Sequence, residues 1–200
     1  MFTYFRIRNN SRNFFQDRGL GIDGICTLDL MANIAMWDTL LIVWKEKTRW
    51  DAVRPWSALK YLYGNQLLTA WGGPNQGTVQ LPANQWRSYL PPPDHPEYPS
   101  ATTGVCYAVS SALQSYLGDD VLNWNVTFSK GSSIIEPKTV PAQDISVWYP
   151  SFSSMAYDCA QSRIWAGVHF QDAIDNIKAI GTEIGVKAAN FVKGLEVYSK

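Results

Sequence analysis

The sequence predicts a mostly α-helical bundle with long loops and one short β-hairpin, and three observations carry that prediction. Leu30, Ile34, Met36, Leu40, Leu41 and Trp44 recur at roughly helical spacing between Thr27 and Lys47 and make a broad apolar face. Ser100 and Gly118 bracket a second run, Ala101 to Leu117, as N-cap and stop. A third run, Ala173 to Val197, contains Gly181 and Gly185, glycines that weaken a helix unless they let a neighbour pack closely. With 200 residues and 46% hydrophobic content, residues 1–200 form one domain able to bury a core.

Taken in order, residues 1–26 read as an irregular lead-in holding Asn9-Asn10-Ser11 and Gly19-Leu20-Gly21. The helix from Thr27 to Lys47 is followed by Asp51 to Tyr63, which keeps its helical character through Pro55 and stops before Gly64. A proline there bends the chain and pushes Arg54 out of α geometry. Gly72 to Pro99 is rich in Gly, Pro, Asn and Gln and includes Pro91-Pro92-Pro93; a loop this long inside a compact domain is more often functional than a plain connector. After the Ser100 helix, Val121–Ser129 and Ser132–Ile135 flank Lys130-Gly131 as a hairpin. Ser151 to Trp165 is helical, Gly167 marks its stop or kink, and the last helix runs to near Lys200.

Composition excludes several classes. Formal net charge is zero, so no global field draws nucleic acid or an anionic membrane surface. No run of about eighteen apolar residues predicts a transmembrane segment. Met1–Arg18 is aromatic and basic but has no apolar core region, so it does not read as a signal peptide. The expectation is a soluble protein whose compartment stays open. The nine Trp and ten Tyr residues are read first as core packing. Cys26, Cys106 and Cys159 are odd in number, widely spaced and set in apolar surroundings. They read as buried thiols rather than a disulfide framework or a metal knuckle.

Two stretches place cations where an anion could sit. Arg163 and His169 are six residues apart with Gly167 between them. His169 falls near the start of the last helix, where free N–H groups and the helix dipole favour negative charge. Arg163 adds a planar fork of donors suited to tetrahedral oxyanions. Lys47 and Arg54 are seven residues apart, close to two helical turns, and can face one way. With Lys45 and Arg49 nearby, they read first, on spacing alone, as a solvated basic face. Ser100 opens a helix after a proline-rich loop, so its hydroxyl and several unpaired N–H groups point into one space. By itself that is also an ordinary N-cap.

Together, Lys47-x6-Arg54-Pro55, Tyr98-Pro99-Ser100 and Ser162-Arg163-x3-Gly167-x-His169 resemble the three-part signature of one superfamily. Its members are the vanadium-dependent haloperoxidases and the type 2 phosphatidic acid phosphatases. The resemblance covers about Trp44 to Lys200, and the stretches His95–Ser100 and Ser162–Phe170 look more like the haloperoxidase branch. It implies the helical bundle of that superfamily. It implies that His169 ligates the vanadium of vanadate, or attacks phosphorus in a phosphatase. Lys47, Arg54 and Arg163 would neutralise the equatorial oxygens, Ser100 would hydrogen-bond one of them, and Ala101 would adjoin the bound anion. The implied cofactor is vanadate with phosphate as a competing ligand, and the implied partners are hydrogen peroxide and a halide or small organic acceptor. The implied activity is vanadate-dependent oxidation of halide by peroxide. Trp50 and Trp165 are the expected water-excluding walls.

The sequence departs from the family pattern in three places. The second motif there runs Pro-Ser-Gly-His, and here Ala101 and Thr102 replace Gly-His; threonine cannot transfer a proton near neutral pH as imidazole does. His95, the sole other histidine, is the candidate substitute, or else a loop residue with a structural hydrogen bond. The carboxylate that orients the liganding histidine from four residues on is replaced by Ala173, which leaves Asp172 or Asp175 as candidates. Members are also usually longer, with further helices before the lysine motif. The chain is therefore expected to be a fragment or minimal catalytic half, completed by a missing N-terminal half or by homo-oligomerisation. Three alternatives stay open: phosphate-ester hydrolysis through a phosphohistidine at His169, a non-catalytic phosphate- or vanadate-binding domain, and a structural helical domain with a vestigial site.

Overall fold

The computed structural model describes residues 18–197. Asn9-Asn10-Ser11, most of the lead-in and the last residues up to Lys200 lie outside the described residues. The expected helical bundle is there. Helix α1 spans Ile22–Trp50 and α2 spans Pro55–Tyr63; α3 is Ala101–Leu117, α4 Phe152–Trp165 and α5 Gln171–Val197. Helix α3 sits at the centre and packs on α1, α4 and α5.

The lead-in is shorter than expected, because α1 already starts at Ile22 with Ile25 N–H bonded to Gly21 O at 3.0 Å. Leu28, Met31, Ala35 and Val43 on one side of α1 are fully buried, while Trp37 and Leu41 on the other are exposed. Among the described residues, Ile22–Tyr63 holds the one helical stretch long and apolar enough to cross a membrane, in contrast to the expectation of no such run. Its buried side lines the core with Val105, Ala108, Phe152 and Ala188, as in the core helix of a globular bundle.

Helix α1 does not run on into α2. Asp51 takes a left-handed conformation (φ 41°) and its N–H caps Lys47 O. Pro55 is the first residue of α2, where its missing N–H costs nothing, and it holds Arg54 extended at φ −81°, ψ 157°. That break turns Arg54 away from the line of α1. Ser100 caps α3 by accepting from Thr103 N–H, and Gly118 ends it in the left-handed region at φ 81°. Ser151 and Ser154 form a capping box at the start of α4.

Among the described residues there are two antiparallel hairpins instead of one. Strands β1 (Leu67–Trp71) and β2 (Thr78–Pro82) pair within and beside the stretch expected to be loop. Neither strand has a fully buried face, so the alternation that marks a strand is weak. The irregular part of that loop is confined to the segment after the short 3₁₀ turn Ala83–Gln85. Strand β3 (Val121–Phe128) lies where expected and buries Leu122, Trp124 and Val126 in alternation. Its partner is β4, Ile145–Ser151, and not Ser132–Ile135. There the Ser133 hydroxyl accepts from the N–H groups of Ile135 and Glu136 at 3.2 and 3.1 Å, which turns the backbone away from a ladder.

The cysteines also differ from expectation. Cys106 on α3 and Cys159 on α4 are joined in a disulfide with Cα atoms 6.5 Å apart, and Cys26 is exposed. Apolar flanks describe a helix's neighbours in sequence but not which residue of the facing helix meets it, so the pairing could not be read from the chain.

Candidate oxyanion site

Four segments converge at one end of the bundle: the end of α1, the loop before α3, the start of α3, and the turn from α4 to α5. Lys47 is in the last turn of α1 and its side chain is wholly buried. Its ammonium donates to Pro96 O at 2.6 Å and Glu97 O at 3.1 Å, leaving one N–H free. Burial, reinforced by Arg54, lowers its pKa to about 8, with Glu97 opposing. The basic-face reading is thereby excluded for Lys47 and Arg54.

Arg54 is buried as well and stitches the loop to the α4–α5 turn. Its Nε donates to Pro93 O at 3.1 Å and His95 O at 3.0 Å, and Nη1 donates to Val168 O at 2.8 Å. Nη2 lies 3.1 Å from His95 Nδ1 and 3.4 Å from Pro96 O. At least three of its five N–H groups are thus committed to the protein. Burial pushes its guanidinium below the ordinary value, Glu97 opposes, and nearby Arg163 adds to the depression.

Arg163, in the last turn of α4, differs from both. Its Nε is buried without a hydrogen-bond partner, and burial alone depresses its pKa. Gly167 follows at φ 71°, where a Cβ would lie 3.0 Å from the Trp86 ring. Only glycine combines that conformation with that closeness, and the turn it permits brings His169 back beside Arg54.

His169 is buried, and its Nδ1 meets Glu97 Oε1 at 2.7 Å. The same oxygen accepts Phe170 N–H at 3.0 Å. Burial depresses the imidazole pKa most, with Arg54 and Lys47 adding to the fall, and the Glu97 hydrogen bond and charge opposing. The ring is therefore neutral near pH 7, with Nδ1–H donated to Glu97 and the Nε2 lone pair left to act as ligand or nucleophile.

Glu97 is the residue that sequence reasoning missed. Asp172 and Asp175 do not hold the ring: both are exposed, and Asp175 is bonded to Lys178 and Gln171. They lie on the outward side of α5, whereas Ala173 faces inward with its side chain fully buried. The signal available was a glutamate between two prolines, three residues before Ser100.

Ser100 is fully buried and its N–H donates to Ala173 O at 2.9 Å, tying the start of α3 to the start of α5. Its hydroxyl oxygen accepts from Thr103 N and Thr103 Oγ1 at 3.3 and 3.0 Å, so its own hydrogen remains for a ligand. Ala101 and half-buried Thr102 occupy the first turn, whose N–H groups have no intrahelical acceptor. His95 lies against Arg54 and packs on Trp44, ring centroids 5.0 Å apart. His95 Nδ1 lies 3.1 Å from Arg54 Nη2 and 3.1 Å from Pro96 O, so as a lone pair it accepts from the arginine and as an N–H it donates to the carbonyl. Burial depresses its pKa, the hydrogen bond with Pro96 O opposes, and Lys47 and Arg54 add to the depression. Trp50 and Trp165 are not walls of the site, since 57% and 67% of their surfaces are exposed.

The site thus gathers three cations against one carboxylate, with the imidazole neutral. Among the described residues no three His, Cys, Asp or Glu side chains converge as metal ligands. The arrangement suits a tetrahedral anion held by charge, hydrogen bonds and one imidazole nitrogen.

Comparison with known proteins identifies the fold. The family model described as the VCPO second helical-bundle domain matches residues 27–196. A holo-type bacterial vanadium-dependent chloroperoxidase superposes with a TM-score of 0.88 at 40% identity, covering 92% of this chain and 39% of that one. The apo-type structure gives 0.84 at 41% identity, covering 87% and 38%. A bacterial vanadium-dependent iodoperoxidase shares the fold at a TM-score of 0.52 and 24% identity, with coverage of 82% and 31%. No curated protein sequence matches. This chain spans about 39% of the length of the first chloroperoxidase. It belongs to the vanadium-dependent chloroperoxidase family, through the second helical-bundle domain of those proteins.

Proposed function

We propose that the domain binds vanadate, with phosphate as a competing ligand, and that through it halide is oxidised by hydrogen peroxide. The observation that carries this reading is the buried excess of positive charge around His169, with Arg163 Nε left unpartnered. Uncompensated charges cost several kcal/mol each when buried, and a multiply charged oxyanion compensates them. The residues fit the group. Lys47 has one N–H to give, Arg163 its Nε–H, Ser100 its hydroxyl hydrogen, Ala101 a backbone N–H, and His169 its Nε2 lone pair.

Vanadate, when bound, supplies a Lewis-acid centre that activates peroxide toward a halide or a small organic acceptor. Glu97 keeps the imidazole in the Nδ1–H tautomer and aims Nε2 at the anion. Lys47, Arg54 and Arg163 stabilise negative charge on the oxygens. Thr102 leaves proton transfer to another group; neutral His95 serves in its Nδ1–H tautomer, donating that hydrogen to Pro96 O, so that the Nε2 lone pair takes up and later releases the proton.

A halide-oxidation assay with vanadate, peroxide and an organic acceptor tests the reading. Turnover that requires both vanadate and peroxide, and is lost in His169→Ala, is expected. Hydrolysis of a phosphate ester that vanadate inhibits would replace this reading with the phosphohistidine route, since an oriented neutral imidazole is also a nucleophile.

A further inference from the structure

Arg163 is anchored differently from the other two cations. Carbonyl oxygens of the loop fix Lys47 and Arg54, whereas the buried Nε of Arg163 has no acceptor. The position of Arg163 therefore depends on where α4 lies relative to α3. These helices are antiparallel, and two hydrogen bonds join them at the end remote from the site: Ser110 Oγ to Phe152 O at 3.0 Å and Gln114 Nε2 to Ser153 Oγ at 3.2 Å.

Toward the site the tie is covalent, the Cys106–Cys159 disulfide. Four residues further along each helix, one turn, come Thr102 and Arg163. The bond thus sits one turn behind Arg163 on one helix and one turn behind the first turn of α3 on the other.

We propose that Cys106–Cys159 is a positioning pair that holds Arg163 at the distance from the α3 N-terminus that a bound oxyanion requires. The proposal rests on the oxyanion reading of the site. Without the bond, α4 keeps its contacts near Phe152 and its far end is held only through the turn that follows it, by Arg54 Nη1 to Val168 O and Leu90 N–H to Ala166 O, and Arg163 loses its aim before the fold is lost. Misplacement of a site group on the ångström scale is enough to weaken an interaction by an order of magnitude or more.

The test uses inorganic phosphate as probe, because thiol reductants react with vanadate. Phosphate affinity is measured by calorimetric titration on the oxidised protein, on the protein reduced with dithiothreitol, and on reduced protein reoxidised after the reductant is removed. Arg163→Ala is titrated in the same three states. The expected result is about a tenfold weakening on reduction of the wild type, recovery on reoxidation, and a residual affinity in Arg163→Ala that ignores the redox state. A pair serving stability alone would lower the melting temperature and leave the affinity of the folded protein unchanged, and that outcome overturns the proposal. Equal weakening in Arg163→Ala also overturns it, since the effect would then not pass through Arg163. If the reduced chain unfolds, the double variant C106V/C159A replaces the bond by apolar contact and carries the same comparison. Absence of phosphate binding in every state refutes the site itself, which distinguishes that failure from failure of the positioning role.

Discussion

Gly185 on α5 gives a prediction whose size can be worked from the packing. A Cβ built there would lie 2.1 Å from Ala108 O, 2.1 Å from Ser111 Oγ and 2.8 Å from Ala112 N. The first two fall 0.9 Å short of the 3.0 Å floor for such contacts, and Ala108 O and Ala112 N are backbone atoms that no rotamer change removes. Helices α3 and α5 must move apart, at an overpacking cost of about 3 kcal/mol. Alanine returns about 1 kcal/mol of helix propensity, so Gly185→Ala is destabilising by about 2 kcal/mol. For a chain of this length that lowers the melting temperature by about 4–8 °C. Gly194, on the same helix, has nothing within 4 Å of its Cβ position, and Gly194→Ala is expected to raise the midpoint by about 2–4 °C. Differential scanning calorimetry on the two variants gives opposite signs if the α3–α5 approach is as close as described. A Gly185→Ala midpoint at or above that of Gly194→Ala would refute the packing.

Glu97→Gln is expected to weaken phosphate or vanadate binding about 10- to 100-fold, because the imidazole loses the carboxylate that orients it; equilibrium titration measures this. Lys47 titrates at about 8 in the anion-free site, so phosphate affinity falls as pH rises through that value, a component that Lys47→Met abolishes. The anion-free protein shows the opposite sign in stability. Between about 8 and the ordinary lysine value of 10.5 the unfolded chain holds the extra proton, so chemical denaturation finds stability rising with pH across that window. Reduction of Cys106–Cys159, which closes a loop with a sequence separation of 53, costs up to about 4 kcal/mol by loop entropy and lowers the denaturation midpoint accordingly.

Much of the fold was legible because its signals are local. Ser100 and Gly118 bound α3 at the expected residues, since capping and the left-handed stop depend on residues within a turn. Gly181 and Gly185 pointed to close packing, and both do meet backbone atoms of α3, whereas Gly194 on the same helix does not. The second strand of the β3 hairpin was misplaced because Ser133 diverts its own backbone, and β1–β2 was missed for want of a buried face. In the candidate site, Lys47, Arg54, Ser100, Arg163 and His169 were gathered by the resemblance of their three motifs to the haloperoxidase signature, and not by spacing alone. Glu97 and the disulfide were not, because each depends on which distant segment the fold places opposite it. Spacing also pointed to Asp172 and Asp175 as partners of His169, whereas helical phase turns both outward.

If buried cations and a neutral His169 form an assembled oxyanion site, the folded protein binds vanadate through that histidine. A thermal-shift titration with orthovanadate on wild type and His169→Ala tests it most directly, because a ligand that binds only the folded state raises its midpoint. A rise that grows with vanadate concentration in the wild type and vanishes in the variant is expected. A folded wild type whose midpoint does not move, or a variant that shifts as much, would contradict it.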